Sequence, residues 1–253
     1  MEENKEPKVP RIGDMAPEFH ALTTQGEMHF PKDYLGSWVV LFAYEADFTP
    51  VSTTEIMMLA SMVQEFKAIG ATIIGISTDS IYSHIAWIRK IKELSWKEIK
   101  HIEIGFPLIS DRTQEITRKF NMSYTNQSTS FKVNSLYIID PQGRIRLMHY
   151  DPTVVGRNSN EIMRLLIALQ KTNQDMVVTP VNWLPNEDII LIPPEVCKAA
   201  IERTDNIKEG QYCLDWFLCF QPCSDNSNKI AEPESNPYPT MFPTRNRNGY
   251  RRP

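Results

Sequence analysis

Apolar and polar positions along this chain fall into blocks that predict its elements. From Trp38, "WVVLFAYEA" is a continuous apolar run, suited to a strand buried on both faces. "TTEIMMLASMVQEFKAIG" then sets Ile56, Leu59, Met62, Val63 and Phe66 on one helical stripe, with Gly70 at its stop. "ATIIGIST" reads as a second buried strand and "SIYSHIAWIRKIKEL" as an amphipathic helix. "FPLISD" predicts a short strand and "RTQEITRKFNM" a short helix. "NSLYIIDPQGRIRLMHY" predicts a hairpin turning at Pro141 to Gly143, and "SNEIMRLLIALQKT" a closing helix. Strands alternating with helices imply an α/β fold, a sheet covered on both faces.

Beyond Thr172 the pattern changes. "VVTPVNWLPNEDIILIPP" is proline-rich and strand-like, Lys198 to Arg203 suggests a short helix, and "EGQYCLDWFLCFQPC" is a compact aromatic–cysteine cluster. From Ser224 the chain is rich in Asn, Pro, Ser and Arg, which predicts a disordered tail. The expected organisation is a flexible start over 1–10, a main domain over 11–172, a C-terminal domain over 173–223 and the tail over 224–253.

Composition adds exclusions. With 42% hydrophobic and 23% charged residues the chain is an ordinary globular one, and a net charge of −4 argues against nucleic acid as the main partner. No apolar run reaches the roughly 18 residues of a membrane span, so no membrane partner is expected. The polar start, "MEENKEPKVP", lacks an apolar signal core, and a cytoplasmic location is expected. The four cysteines are Cys197, Cys213, Cys219 and Cys223, all late in the chain. In a reducing compartment such a cluster suits redox chemistry, metal binding or plain reduced packing better than a disulfide framework.

Several stretches together resemble the peroxiredoxins, specifically the one-cysteine branch. "IGDMAPEF" is similar to that family's opening, "DFTPVSTTE" to its peroxidatic loop, "DPTVVGRNSNEIMRLL" to the segment before its closing helix, and "TPVNW" to the start of its C-terminal domain. The resemblance runs from about Arg11 to Phe220 and implies a thioredoxin-like fold with a C-terminal dimerisation extension. It also implies a thiolate that attacks peroxide and becomes a sulfenic acid. No cofactor and no metal are expected from it.

Carried over position by position, the resemblance is incomplete. Thr49 matches the threonine that contacts peroxide, Arg157 a second arginine near the pocket, and Glu55 the acidic residue that orients it. The peroxidatic position, however, is Ser52; the proline that shields the thiolate is Glu45, and the first arginine is Asn134. A serine hydroxyl has no counterpart to sulfur's oxidation ladder and needs a neighbouring base to act as a nucleophile. The family's histidine after the core strand is Tyr44, and no histidine lies in the motif. Ser52 therefore reads as an inert residue of the first helical turn, where hydroxyls satisfy backbone N–H groups. Glu45 would raise the pKa of a thiolate placed beside it.

Other carry-overs are tested the same way. Cys213 and Cys219 sit in a "C-x-D-W-x-x-C" setting similar to that of archaeal and bacterial members, where one cysteine resolves the sulfenic acid. The resemblance favours a loop there, hence a pair able to close under mild oxidant. Packing with Trp216 and Phe217 is the plain reading, and zinc on Cys213, Cys219 and Cys223 lacks a short C-x-x-C unit. A phospholipase serine of some animal members would fall at Ser37, but Pro31 occupies the partner histidine's place. His84 reads as an ordinary helix side chain.

These readings lead to a peroxiredoxin-like protein with a degenerate peroxidase site, a structural or regulatory paralogue, assembled as a homo-oligomer (dimer or ring of dimers). It would pair with an active peroxiredoxin paralogue or a thioredoxin-like reductant. The alternatives are a thiol peroxidase, antioxidant toward hydrogen peroxide and alkyl hydroperoxides, whose Ser52 is an engineered Cys→Ser change, or a thiol oxidoreductase acting through Cys213 and Cys219. The single-change explanation accounts for one departure and leaves Glu45 and Asn134 unexplained.

Overall fold

The computed structural model describes residues 9–122 and 133–223; the expected N-terminal arm, for residues 1–8, and the tail, 224–253, lie outside them. The chain starts with a hairpin of β1 (Phe19–Thr23) and β2 (Gly26–Phe30), followed by β3 (Trp38–Ala43), α1 (Pro50–Ser61), α2 (Val63–Ala68) and β4 (Ala71–Ser77). Then come α3 (Ile81–Glu93), the two-residue strands β5 (Ser95–Trp96) and β6 (Ile99–Lys100), β7 (Leu108–Ser110) and α4 (Glu115–Lys119). The hairpin β8 (Val133–Ile139) and β9 (Ile145–Pro152) leads into α5 (Ser159–Gln174). A second, smaller sheet follows, built from β10 (Val177–Val178), β11 (Ile189–Leu191), β12 (Tyr212–Asp215) and β13 (Leu218–Gln221), with α6 (Cys197–Asp205) between β11 and β12.

The main sheet has seven strands in the order β2-β1-β7-β4-β3-β8-β9. β3, β4 and β7 run parallel at its centre, and β8 returns antiparallel to β3. All six residues of β3 are buried, as its unbroken apolar run requires of a strand with packed layers on both sides. Val40, Phe42, Leu136 and Ile138 enter one core layer with Ile56, Leu59 and Leu166 of α1 and α5. Val39, Leu41, Tyr137 and Ile139 enter the other with Phe19, Phe30 and Phe120. The expected α/β fold with both faces covered is what the chain forms.

Some expectations need correction. The single helix predicted from Thr53 to Gly70 is two helices, broken at Met62, whose N–H bonds to the Leu59 carbonyl in a tighter turn at 3.2 Å. The stripe survives the break, for Ile56, Leu59, Met62, Val63 and Phe66 are all buried. In the C-terminal region, Trp183 and Ile189 are buried within the chain against Val177 of β10 and Ala168 of α5, and the Trp183 indole N–H donates to the Glu187 carbonyl at 3.1 Å. Trp216 and Phe217 do remain exposed, at 42% and 50%.

Candidate functional site

The sequence places its candidate chemistry where β3 ends and α1 begins. Phe48 has a left-handed backbone (φ 60°), which turns the chain sharply between the strand and the helix. Thr49 is the extended N-cap residue, and Pro50 occupies the first helical turn, where its missing N–H costs no bond. The backbone N–H of Asp47 donates to Asp79 Oδ2 at 2.9 Å, tying the turn to the segment after β4.

Ser52 is 1% exposed in the first turn of α1. Its Oγ lies 2.7 Å from Thr49 Oγ1, which also lies 2.7 Å from the Ala46 carbonyl. Each hydroxyl carries one proton and the carbonyl only accepts, so Thr49 donates to Ala46 and Ser52 donates to Thr49. The expected bond from a backbone N–H to Ser52 is therefore replaced by a hydroxyl relay. The relay ends on a neutral carbonyl, which cannot take a proton from Ser52.

One turn along α1, Glu55 meets Arg157 from the loop before α5. Arg157 Nε and its second amine donate to the two carboxylate oxygens at 3.0 and 2.6 Å, and the Arg157 backbone N–H donates to Oε1 at 2.7 Å. Both side chains are 4% exposed, so the pair is dry and bidentate. The third guanidinium nitrogen donates to the Ser135 carbonyl at 3.1 Å, and the guanidinium rests over the Phe42 ring at 5.2 Å. Thr49, Ser52, Glu55 and Arg157 thus converge on one end of α1.

The reading of His84 as an ordinary helix residue is overturned. It is fully buried, with Nδ1 2.9 and 3.0 Å from the two oxygens of Asp47 and Nε2 3.1 Å from the Ile109 carbonyl. Tyr44 completes the cluster, its hydroxyl donating to Asp47 Oδ1 at 3.0 Å. Burial, and then the Asp47 charge, hold the Tyr44 phenol well above its ordinary pKa. The hydrogen-bond partners of the two His84 nitrogens are thus Asp47, Tyr44 and the Ile109 carbonyl rather than Ser52. Its spacing with Trp87 and Ile91 on the buried stripe of α3 was the signal that would have placed it inside.

Asn134 lies on the sheet face that carries Phe42 and Leu136, directly opposite Asp151 in the β8–β9 ladder. It is 1% exposed, and neither its amide nitrogen nor its oxygen has a partner. Glu45 is half-buried just beyond β3. Cys213 and Cys219 face each other across the β12–β13 hairpin and form a disulfide with Cα atoms 4.0 Å apart, while Cys197 and Cys223 are free. The hairpin supplies the close approach that a helix of that length forbids. Among the described residues no group of three or more His, Cys, Asp or Glu side chains is arranged to hold a metal, and no helix is long and apolar enough to cross a membrane.

Comparison with known proteins gives concordant results. A model of the AhpC/TSA family matches residues 12–148. A peroxiredoxin of Methanosarcina mazei is 47% identical over 214 residues, spanning 84% of this chain and 98% of that protein. One from Aquifex aeolicus is 42% identical over 221 residues, spanning 83% and 96%. Among solved structures, a yeast mitochondrial 1-Cys peroxiredoxin superposes with a TM-score of 0.72 at 35% identity, covering 85% of this chain and 100% of that one. A cysteine-to-serine mutant of peroxiredoxin 6 from Arenicola marina superposes with a TM-score of 0.70 at 28% identity, covering 84% and 97%.

Proposed function

Since the chain belongs to the AhpC/TSA family and its fold is the thioredoxin-like one of the peroxiredoxins, we propose that it is a member whose peroxidase site has degenerated, kept for a structural or regulatory role. The observation that carries this reading is the state of Ser52. A hydroxyl stands at the head of α1, hydrogen-bonded to Thr49, which in turn donates to a carbonyl, and the His84 imidazole is engaged by Asp47 and Ile109. Nothing there generates an alkoxide, and oxygen cannot follow a thiolate along the sulfenic acid route. Glu45 and Asn134 support the same reading, because a carboxylate and a neutral amide replace groups that would favour a thiolate.

The scaffold around the site is kept, with Glu55 holding Arg157 and Pro50 in the first turn of α1. That combination suits a protein retained for its surfaces: a homo-oligomer, a dimer or a ring of dimers, joined to an active paralogue or a thioredoxin-like reductant. Exposed Leu214, Trp216 and Phe217 on the smaller sheet are candidate contacts for such assembly. Peroxide consumption by the purified protein with a thiol reductant tests the proposal. No turnover above the reductant's own background is expected; catalytic turnover by the chain as written overturns it.

A second reading has one observation in its favour. The Cys213–Cys219 disulfide could exchange with a partner dithiol, making the chain a thiol oxidoreductase. In that exchange a partner thiolate attacks one sulfur, the other leaves as thiolate, and the partner's second thiol completes its own disulfide. Reduction of this pair by a thioredoxin-like dithiol, with loss on Cys213→Ser, would establish it.

A further inference from the structure

The outer face of the β1–β2 hairpin carries a side-chain cluster separate from the Ser52 turn, for β7 and β4 lie between β1 and β3 in the main sheet. Hairpin residues alternate between core and solvent. Phe19, Ala21, Met28 and Phe30 pack inward, while His20, Leu22, Glu27 and His29 point out. The register sets His20 directly opposite His29. The His29 backbone N–H turns away from β1 and donates to Asp33 Oδ2 at 2.7 Å. The two histidines are therefore a non-hydrogen-bonded pair, the kind that brings opposed side chains closest. Their rings stack with centroids 4.5 Å apart and planes 27° from parallel.

A pair that served strand pairing alone would need nothing more around it. Here each imidazole has a carboxylate at one nitrogen: Glu27 Oε2 lies 3.6 Å from His20 Nε2, and Asp33 Oδ2 lies 3.7 Å from His29 Nδ1. A carboxylate in that place holds the ring's proton and makes the other nitrogen more basic, the arrangement that metal-bound histidines use. That leaves His20 Nδ1 and His29 Nε2 to bind an ion. Two imidazoles without a thiolate suit zinc, nickel or copper, whereas calcium and magnesium take oxygen ligands. A zinc–nitrogen bond is about 2.0–2.1 Å, so one ion reaches both rings at this separation after small side-chain rotations. Those rotations are open to both, since the side chains are 54% and 59% exposed. No third protein ligand is arranged beside them, so water would complete the coordination. The rings line a surface pocket of about 520 Å³ with Glu18, Lys32 and Leu35, which leaves room for that water. Glu18, Glu27 and Asp33 against Lys32 give the surroundings a negative balance that favours a cation.

We propose that His20 and His29 together bind one divalent transition-metal ion of the zinc, nickel or copper kind, with Glu27 and Asp33 as positioning residues. The site is independent of Ser52 and of the role assigned to it.

The test is calorimetric titration of the untagged full-length protein with nickel chloride, since nickel accepts imidazole, with magnesium chloride as the oxygen-seeking control. One nickel ion per chain and no magnesium response are expected. His20→Gln and His29→Gln should each weaken nickel binding by at least the roughly tenfold that losing a supporting partner alone costs. Both residues are exposed, so each variant should keep the metal-free Tm of the unmodified protein. His101→Gln, His149→Gln and the double change Cys197→Ser with Cys223→Ser remove the other exposed imidazoles and the free thiols, and should leave binding unchanged. The proposal is overturned by no saturable nickel binding, by a loss smaller than about tenfold in His20→Gln or His29→Gln, by an equal response to magnesium, or by loss of binding in the His101, His149 or cysteine variants. Peroxide turnover does not enter this test, so its outcome and that of the Ser52 assignment are read separately.

Discussion

The Glu55–Arg157 pair offers the sharpest energetic prediction. Glu55→Gln keeps the side chain's volume but removes its charge, leaving the Arg157 guanidinium, 4% exposed, without a counter-ion. It also turns an amide N–H toward one of the two donors that met carboxylate oxygens at 2.6 and 3.0 Å. Breaking a buried pair by removing one partner costs about 3–5 kcal/mol, since the remaining charge stays desolvated. For a chain of this size each kcal/mol lowers Tm by about 2–4 °C, so the expected fall is roughly 6–20 °C. Urea unfolding at constant protein concentration, with unchanged m, measures the loss directly. Replacing both partners, as Glu55→Gln with Arg157→Met, should be less destabilising than Glu55→Gln alone, because no charge is then stranded. A single-variant loss under about 1 kcal/mol, or a double variant worse than the single, would refute the claim that this pair is dry and mutually compensating.

Three further outcomes follow from other parts of the chain. The folded state holds the Tyr44 proton above the ordinary phenol range while the unfolded chain releases it near 10, so stability should fall as pH rises past about 10, by up to about 1.4 kcal/mol per pH unit from this group. In Tyr44→Phe that alkaline slope should be shallower, and identical slopes in pH-dependent urea melts would contradict the assignment. A Cβ on Gly75 would stand 2.6 Å from a Leu108 methyl and 3.1 Å from the Phe42 ring, both fully buried, so Gly75→Ala should cost about 1–3 kcal/mol in the same assay, and a neutral result would show that the sheet centre can yield. Non-reducing peptide mapping after mild diamide should give a linked Cys213–Cys219 peptide, with Cys197 and Cys223 free; exclusive linkage to either of those would contradict the hairpin register.

Where the hydrophobic pattern was strong, the sequence alone located the elements. The unbroken run of β3, the stripe of α3 and the hairpin turn at Pro141–Gly143 all form where periodicity puts them. The β1–β2 hairpin was passed over because its turn, Thr24–Gln25, carries no Asn-Gly or Asp-Gly signal; Thr23 closes it instead, its hydroxyl donating to the Gly26 carbonyl at 2.8 Å. Thr49, Ser52, Glu55 and Arg157 were legible through a motif. Asp47 with His84, and Asn134 with Asp151, were not, because each pair joins residues distant in sequence, by a helix face in one case and a strand register in the other. The burial of Trp183 was not legible for a related reason: it depends on where α5 sits, which its own segment does not encode.

The central claim is that the peroxidase site is degenerate at Ser52, Glu45 and Asn134 together, and one rate comparison tests it most directly. Hydrogen peroxide consumption is measured for Ser52→Cys alone and for Ser52→Cys combined with Glu45→Pro and Asn134→Arg. Moving a thiol's pKa up by one unit from about 8.5 removes roughly nine-tenths of its thiolate at neutral pH, so a single change that leaves the carboxylate and the neutral amide in place should remain slow. The account predicts that the triple variant exceeds the single one by about tenfold or more. Equal rates would contradict it, showing that Glu45 and Asn134 are tolerated and that the serine alone separates this chain from an active peroxidase.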